Sequence, residues 1–201
     1  MERIKKYFNV MYAFIMLKLR FILKKNITIG IINFLCGKIY IVLRKNGIIN
    51  IGQRNKFNKD VNLNSSGYIE IGSRCEFKNN VDLQANGGKL IIHDGVFINS
   101  NTLIVACDKI EIGEGTAMGS GIKIYDHDHI FFAHGSQPWN RQVTDEVYIG
   151  KNCWIGANVI ILRGTKIGDN CIIGAGCIIK GTIPEKSKVI QRNETIITSI
   201  K

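Results

Sequence analysis

From Ile149 to Ile179 an isoleucine returns every sixth residue, at Ile149, Ile155, Ile161, Ile167, Ile173 and Ile179. Glycine follows four of them, and a smallish residue stands two places before each: Val147, Cys153, Val159, Thr165, Cys171 and Cys177. A period of six fits neither the 3.6 of a helix nor the simple alternation of a flat strand. It fits a coil of triangular section, with three flat faces of six residues and one aliphatic side chain per face turned inward. Glycine and small residues suit the tight corners, where bulky or β-branched side chains clash. The pattern predicts a parallel β-helix.

The same ladder runs upstream. One coil reads Ile51, Phe57, Leu63 and the next Ile71, Phe77, Leu83; two more read Ile92, Ile98, Ile104 and Ile112, Met118, Ile124. These coils start 20, 21 and 20 residues apart rather than 18, so extra residues are expected at a corner of each turn, with Ser65-Ser66-Gly67 and Asn86-Gly87-Gly88 as suitable chemistry. The step from Ile112 to Ile149 is 37 residues, one coil plus a 19-residue insertion at about 126–146. A long insertion in a regular solenoid points to function. The chain divides into a basic amphipathic N-terminal cap at 1–48, expected to be helical, a β-helix at 49–190 and a tail at 191–201.

Charge changes the picture only at the N-terminus. The net charge is +11, and residues 1–45 hold ten Lys/Arg against the single acid Glu2. With the coil only mildly basic and no basic stripe interleaved with aromatics, nucleic acid is not expected as a partner. The apolar run from Tyr7 to Leu17 is too short and too soon followed by Lys18 and Arg20 to span a bilayer, and it lacks the small-residue cleavage site of a signal peptide. It suits a cap over the open end of the first coil, as solenoids require, and its cations suit contact with an anionic membrane surface. The six cysteines form no CxxC pair and read as small buried hydrophobes in a reducing cytoplasm. The expected location is therefore cytoplasmic, with peripheral attachment at the inner face of the membrane as an extension.

The chemistry is expected in the insertion, which reads Tyr125-Asp126-His127-Asp128-His129 and then carries Phe131, Phe132, His134 and Trp139. Three of the four histidines of the chain fall within eight residues here. The Asp-His-Asp-His run offers a titratable base with carboxylates close by to fix its tautomer. The aromatics give a polar loop enough apolar surface to dock, and a neighbouring copy is the expected partner.

The coil opening Ile112-Gly113-Glu114-Gly115, the histidine-bearing loop and the stretch Val147-Tyr-Ile-Gly-Lys-Asn-Cys-Trp-Ile-Gly-Ala-Asn through Ile183-Pro184 together resemble the hexapeptide-repeat acyltransferases, most of all the galactoside- and maltose-type sugar O-acetyltransferases. The resemblance covers about residues 50–190. It implies a left-handed hand for the helix, a homotrimer with sites between subunits, acetyl-CoA as co-substrate, a sugar or glycan acceptor and no metal. It implies a catalytic histidine 17 residues after the isoleucine that opens its coil, which is His129, with His127 second. That base would deprotonate a sugar hydroxyl for direct attack on the thioester, with Asp126 or Asp128 orienting the ring. Asn99, Asp126, Asp128 and Trp139 are the expected acceptor-side residues. Trp154, Ala157, Ala175 and Lys180 are the expected acetyl-CoA contacts, with Arg163, Lys166 and Arg192 as further cations.

The chain departs from that family at Lys180-Gly181-Thr182, at Arg192-Asn193-Glu194-Thr195, and at Cys107-Asp108, where the family carries a carboxylate that holds the galactoside. The acceptor is therefore not expected to be a simple galactoside. Acetyl transfer in surface-polysaccharide or lipopolysaccharide synthesis is the leading reading. N-acetylation of an amino sugar or antibiotic is a close variant. A metal enzyme like the γ-class carbonic anhydrases, using His93, His129 and His134, and a non-catalytic scaffold stand behind them.

Overall fold

The computed structural model describes residues 47–132 and 141–192, together with the short strands Ile32–Asn33 and Lys38–Ile39. Among the described residues from Ile48 onward the fold is all-β and winds as a parallel solenoid with faces of seven, seven and six strands. The hexad ladder sets the register. On the first face Ile51, Ile71, Ile92, Ile112, Ile149, Ile167 and Ile183 stack in one column. On the second Phe57, Phe77, Ile98, Met118, Ile155, Ile173 and Val189 stack. Leu63, Leu83, Ile104, Ile124, Ile161 and Ile179 stack on the third. The columns close on one apolar core in which most of these side chains are inaccessible to solvent. Each such burial contributes about 1.5–3 kcal/mol, so the repeat stabilises itself coil by coil. Ile183 and Val189 begin a seventh coil that follows Ile179 after only four residues, out of step with the period of six.

The 20- and 21-residue coils differ from the expectation in a useful way. Their extra residues lengthen the third face into the five-residue strands Val61–Ser65, Val81–Ala85 and Thr102–Ala106, and the chain turns only after them. Corner residues repeat their conformation: Arg54, Arg74, Gly95, Gly115, Asn152, Asn170 and Lys186 all have positive φ at the corner after the first face. Asparagine and glycine tolerate that region at least cost.

Cysteines fill small inward sites, as read from the repeat. Cys153 and Cys171 donate their thiols to the carbonyls of Gly168 (3.2 Å) and Pro184 (3.0 Å) in the next coil. Thr116 does the same with a hydroxyl. It donates to the carbonyl of Gly150 at 2.8 Å and accepts from the amide of Cys153 at 3.0 Å. This buried bridge ties the fourth coil to the coil that returns after the insertion.

At the amino end, Ile32–Asn33 and Lys38–Ile39 pair antiparallel where a helical cap was expected. Isoleucines at 31, 32, 39 and 41 favour extended chain over helix. Apart from Gly47 and Ile48, the other residues of the expected cap lie outside the described residues, as do Trp139, His134 and the end of the tail. The first coil leaves Ile48 and Ile51 exposed, the surface such a cap would cover. At the other end the side-chain amide of Gln191 donates to the carbonyl of Ile178 at 2.7 Å and accepts from its amide N–H at 2.8 Å, standing in for one more strand on the edge of the third face.

Candidate active site

The insertion leaves the solenoid at the corner after the third face and returns at Val147. Its base is a two-stranded ribbon, His127–His129 against Gln142–Thr144. Leaving the stack creates a local problem: the amides of Cys107 and Asp108, one coil below, lose the carbonyls a regular next coil would offer. Asp126 supplies the acceptor. Its fully buried carboxylate accepts from Cys107 N at 2.8 and 3.0 Å and from Asp108 N at 2.7 Å. A buried carboxylate costs several kcal/mol unless satisfied in this way.

That anchoring aims Asp126 at the next residue. His127 Nδ1 lies 3.2 Å from Asp126 Oδ1. A carboxylate only accepts, so Nδ1 carries the proton and Nε2 is the basic atom. The ring of His127 is largely buried, with the edge or face of Tyr125 at 5.9 Å on one side and His129 at 6.0 Å on the other. His129 is exposed on the ribbon. Asp128 faces the other way and accepts from Arg163 Nε at 2.5 Å, bracing the ribbon against the following coil. The structure thus separates the two carboxylates that the sequence left interchangeable: Asp126 orients the His127 ring, and Asp128 holds the arm. Arg163, expected near cofactor phosphates, is engaged here instead.

Cys107 completes the cluster. Its thiol is pushed up to about 11, first by burial and then by the adjacent Asp126 charge. The ligating atoms of Cys107, Asp126 and His127 lie within 4.8 Å of one another.

A cleft of about 430 Å³ runs along a different corner, the one after the second face. Asn99, Trp154, Ala157 and Ala175 line it together, with Ser120 and Ile172. These first four were read from sequence; Ser120 and Ile172 were missed, although the register that stacks Trp154 on Ile172 would have found the second. Trp154 is 64% exposed, an unusual state for a tryptophan in a solenoid, and walls the cleft. Glycine makes the floor. A Cβ on Gly119 would meet the amide nitrogen of Ala157 at 2.7 Å, and one on Gly156 that of Ala175 at 2.5 Å. Glycine is therefore required at this corner for each coil to stack closely on the next. Lys180 is exposed on the third face and does not line the cleft.

The cleft and His127 do not meet within one copy. The whole third face, Lys123–Tyr125 in this coil, separates Ser120 from Asp126. At about 3.3 Å per extended residue the gap is roughly 15–20 Å. His93, at the corner after the first face, pairs with Glu111 at 2.9 Å.

Residues 146–181 match the family model described as bacterial transferase hexapeptide (six repeats), over the two most regular coils. That repeat coincides with the coils whose strands stack in register here, in an all-β parallel solenoid. Among relatives, the chain is 29% identical over 110 residues to the putative lipopolysaccharide biosynthesis O-acetyl transferase WbbJ of Escherichia coli, covering 51% of this chain and 56% of that one. It is 39% identical over 94 residues to nodulation protein L of Rhizobium meliloti, covering 47% and 51%. The alignments span about half the length of these relatives. A solved hexapeptide-repeat acetyltransferase from Vibrio cholerae superposes with a TM-score of 0.47 at 20% identity, over 69% of this chain and 66% of that chain.

Proposed function

We propose that the chain is an acetyl-CoA-dependent O-acetyltransferase that acylates a sugar hydroxyl during assembly of surface polysaccharide or lipopolysaccharide. The observation that carries this reading is the Asp126–His127 pair, a base with its tautomer fixed by a buried carboxylate. Relatives named as O-acetyltransferases of lipopolysaccharide and of galactoside support the reaction class and the kind of acceptor.

In the proposed reaction His127 Nε2 takes the proton of the acceptor hydroxyl as its oxygen attacks the thioester carbonyl. Asp126 stabilises the imidazolium that forms. Backbone N–H groups of the glycine-floored corner donate to the developing oxyanion, and the imidazolium proton passes to the departing thiolate. General-base assistance of this kind contributes about 10²–10⁴ in rate. Trp154 offers a flat apolar wall to the pantetheine arm, Ala157 and Ala175 permit close approach, and Lys180 is a cation for the phosphates. His129, beside His127 on the exposed side, and Asn99 contact the acceptor. Because cleft and base occupy different corners, the site takes residues from two copies, which is the reason to propose the homotrimer. The basic stretch 1–45 would hold the assembly at the inner face of the membrane, near a lipid-linked acceptor.

The test is thiol release from acetyl-CoA against a panel of sugars and lipid-linked glycans, with the products analysed by mass. An added acetyl group that mild base removes supports the reading. An alkali-stable product on an amino sugar moves it to N-acetylation, and no turnover on any glycan opposes it.

A further inference from the structure

We propose that Cys107, Asp126 and His127 form a binding site for a thiophilic divalent cation, zinc above all, and that filling it switches off the base. The second half rests on the reaction proposed above; the site itself does not.

Three ligand types of the right softness converge at one corner of the coil. Thiolate, imidazole and carboxylate are the usual protein donors to zinc. Their ligating atoms lie within 4.8 Å of one another, and none of the three residues is fully exposed. The pair already closest has the spacing of a metal edge. A tetrahedral cation about 2.0–2.2 Å from a histidine nitrogen and a carboxylate oxygen sets them about 3.3 Å apart; Nδ1 of His127 and Oδ1 of Asp126 are 3.2 Å apart. The matching sulfur-to-nitrogen edge is about 3.5 Å, so a rotation of the Cys107 side chain of about an ångström brings Sγ into range.

Asp126 is also preorganised. The amides of Cys107 and Asp108 fix its carboxylate in place, the hydrogen-bonded support that metal-ligating carboxylates characteristically have.

The consequence for the base follows from proton counting. A cation on Nδ1 takes the place of the proton now shared with Asp126, and that proton moves to Nε2. The thiol proton leaves to solvent, so one proton is released per cation bound. Nε2 then carries N–H and no longer accepts. Metal occupancy and proton abstraction by His127 are mutually exclusive. None of this makes the cation a catalyst; it is an inhibitor at a site built from the base and its support.

The test uses the untagged full chain. Cobalt(II) is titrated in as a spectroscopic probe and zinc by calorimetry, on wild type, Cys107→Ser and His127→Ala. The proposal expects one cation per chain, a sulfur-to-cobalt charge-transfer band with wild type, loss of that band in Cys107→Ser, and at least a tenfold weaker zinc affinity in both variants. Equal zinc affinity in wild type and Cys107→Ser, or no charge-transfer band, overturns the site. Where transferase activity is found, zinc inhibits wild type at concentrations at least tenfold below those that inhibit Cys107→Ser; equal inhibition overturns the switch. Absence of transferase activity would refute the reaction proposed above, while the cobalt and calorimetric results still decide the site.

Discussion

Asp126 and His127 are neighbours in the chain whose side chains face each other at 3.2 Å, a relationship a regular strand forbids because successive residues point to opposite faces. The corner makes it possible. The strand Lys123–Tyr125 ends just before Asp126, and the ribbon begins with His127. Asp126 turns inward to serve the amides of Cys107 and Asp108, and His127 lies over it. A structural need, satisfying a corner left open by the insertion, thereby produces an oriented histidine.

That relationship ranks the two candidate bases. His127→Ala should lower kcat by about 10²–10⁴, and His129→Ala by less than about tenfold, in the thiol-release assay with a competent acceptor. A larger loss for His129→Ala than for His127→Ala would return the base to the histidine that counting along the sequence selects.

The glycine floor of the cleft gives a prediction about space. A Cβ at position 156 would sit 2.5 Å from the amide nitrogen of Ala175, closer than atoms tolerate. Gly156→Ala should therefore force the two coils apart and cost about 1–3 kcal/mol. Urea unfolding measures the cost. A stability equal to wild type would show that this corner is looser than described.

The bridge across the insertion predicts a hydroxyl requirement. Thr116→Val keeps the shape but leaves the Cys153 amide and the Gly150 carbonyl without their shared partner, at a cost of about 1–3 kcal/mol. Thr116→Ser should lose less than half as much. The urea midpoints of the two variants order the effect, and equal losses would point to methyl packing instead.

Most of the fold was legible because the core columns repeat: the residues named from the hexads in six coils are the residues found stacked. The longer third-face strands and the seventh coil were less legible. Extra residues such as Asn64 and Ser65 can extend a strand or bulge from a corner with the same composition, and Ile183 breaks the period. Trp154, Ala157, Ala175 and Asn99 were legible only through the family resemblance that named them, and the structure sets them along one cleft. The choice between Asp126 and Asp128 was not, since it depends on Cys107, Asp108 and Arg163, 18 to 35 residues away in the chain.

The thiol of Cys107 offers a pH test of the same corner. Burial first and the Asp126 charge second raise it to about 11, so the thiol is neutral at pH 7 and its reactive thiolate grows as pH rises. Alkylation by iodoacetamide at Cys107, followed by peptide mass, should accelerate about tenfold per unit from pH 7 to 10. Asp126→Asn removes the charge and should speed alkylation at fixed pH. A rate that levels off near pH 8 would contradict this environment.

The most direct test of the central claim is calorimetric titration of acetyl-CoA into wild type, His127→Ala and Trp154→Ala. The account predicts dissociation constants between about 1 μM and 1 mM for wild type, unchanged in His127→Ala and at least tenfold weaker in Trp154→Ala. No binding to wild type, or binding indifferent to Trp154, would contradict the assignment of the Trp154–Ala157–Ala175 cleft to acetyl-CoA.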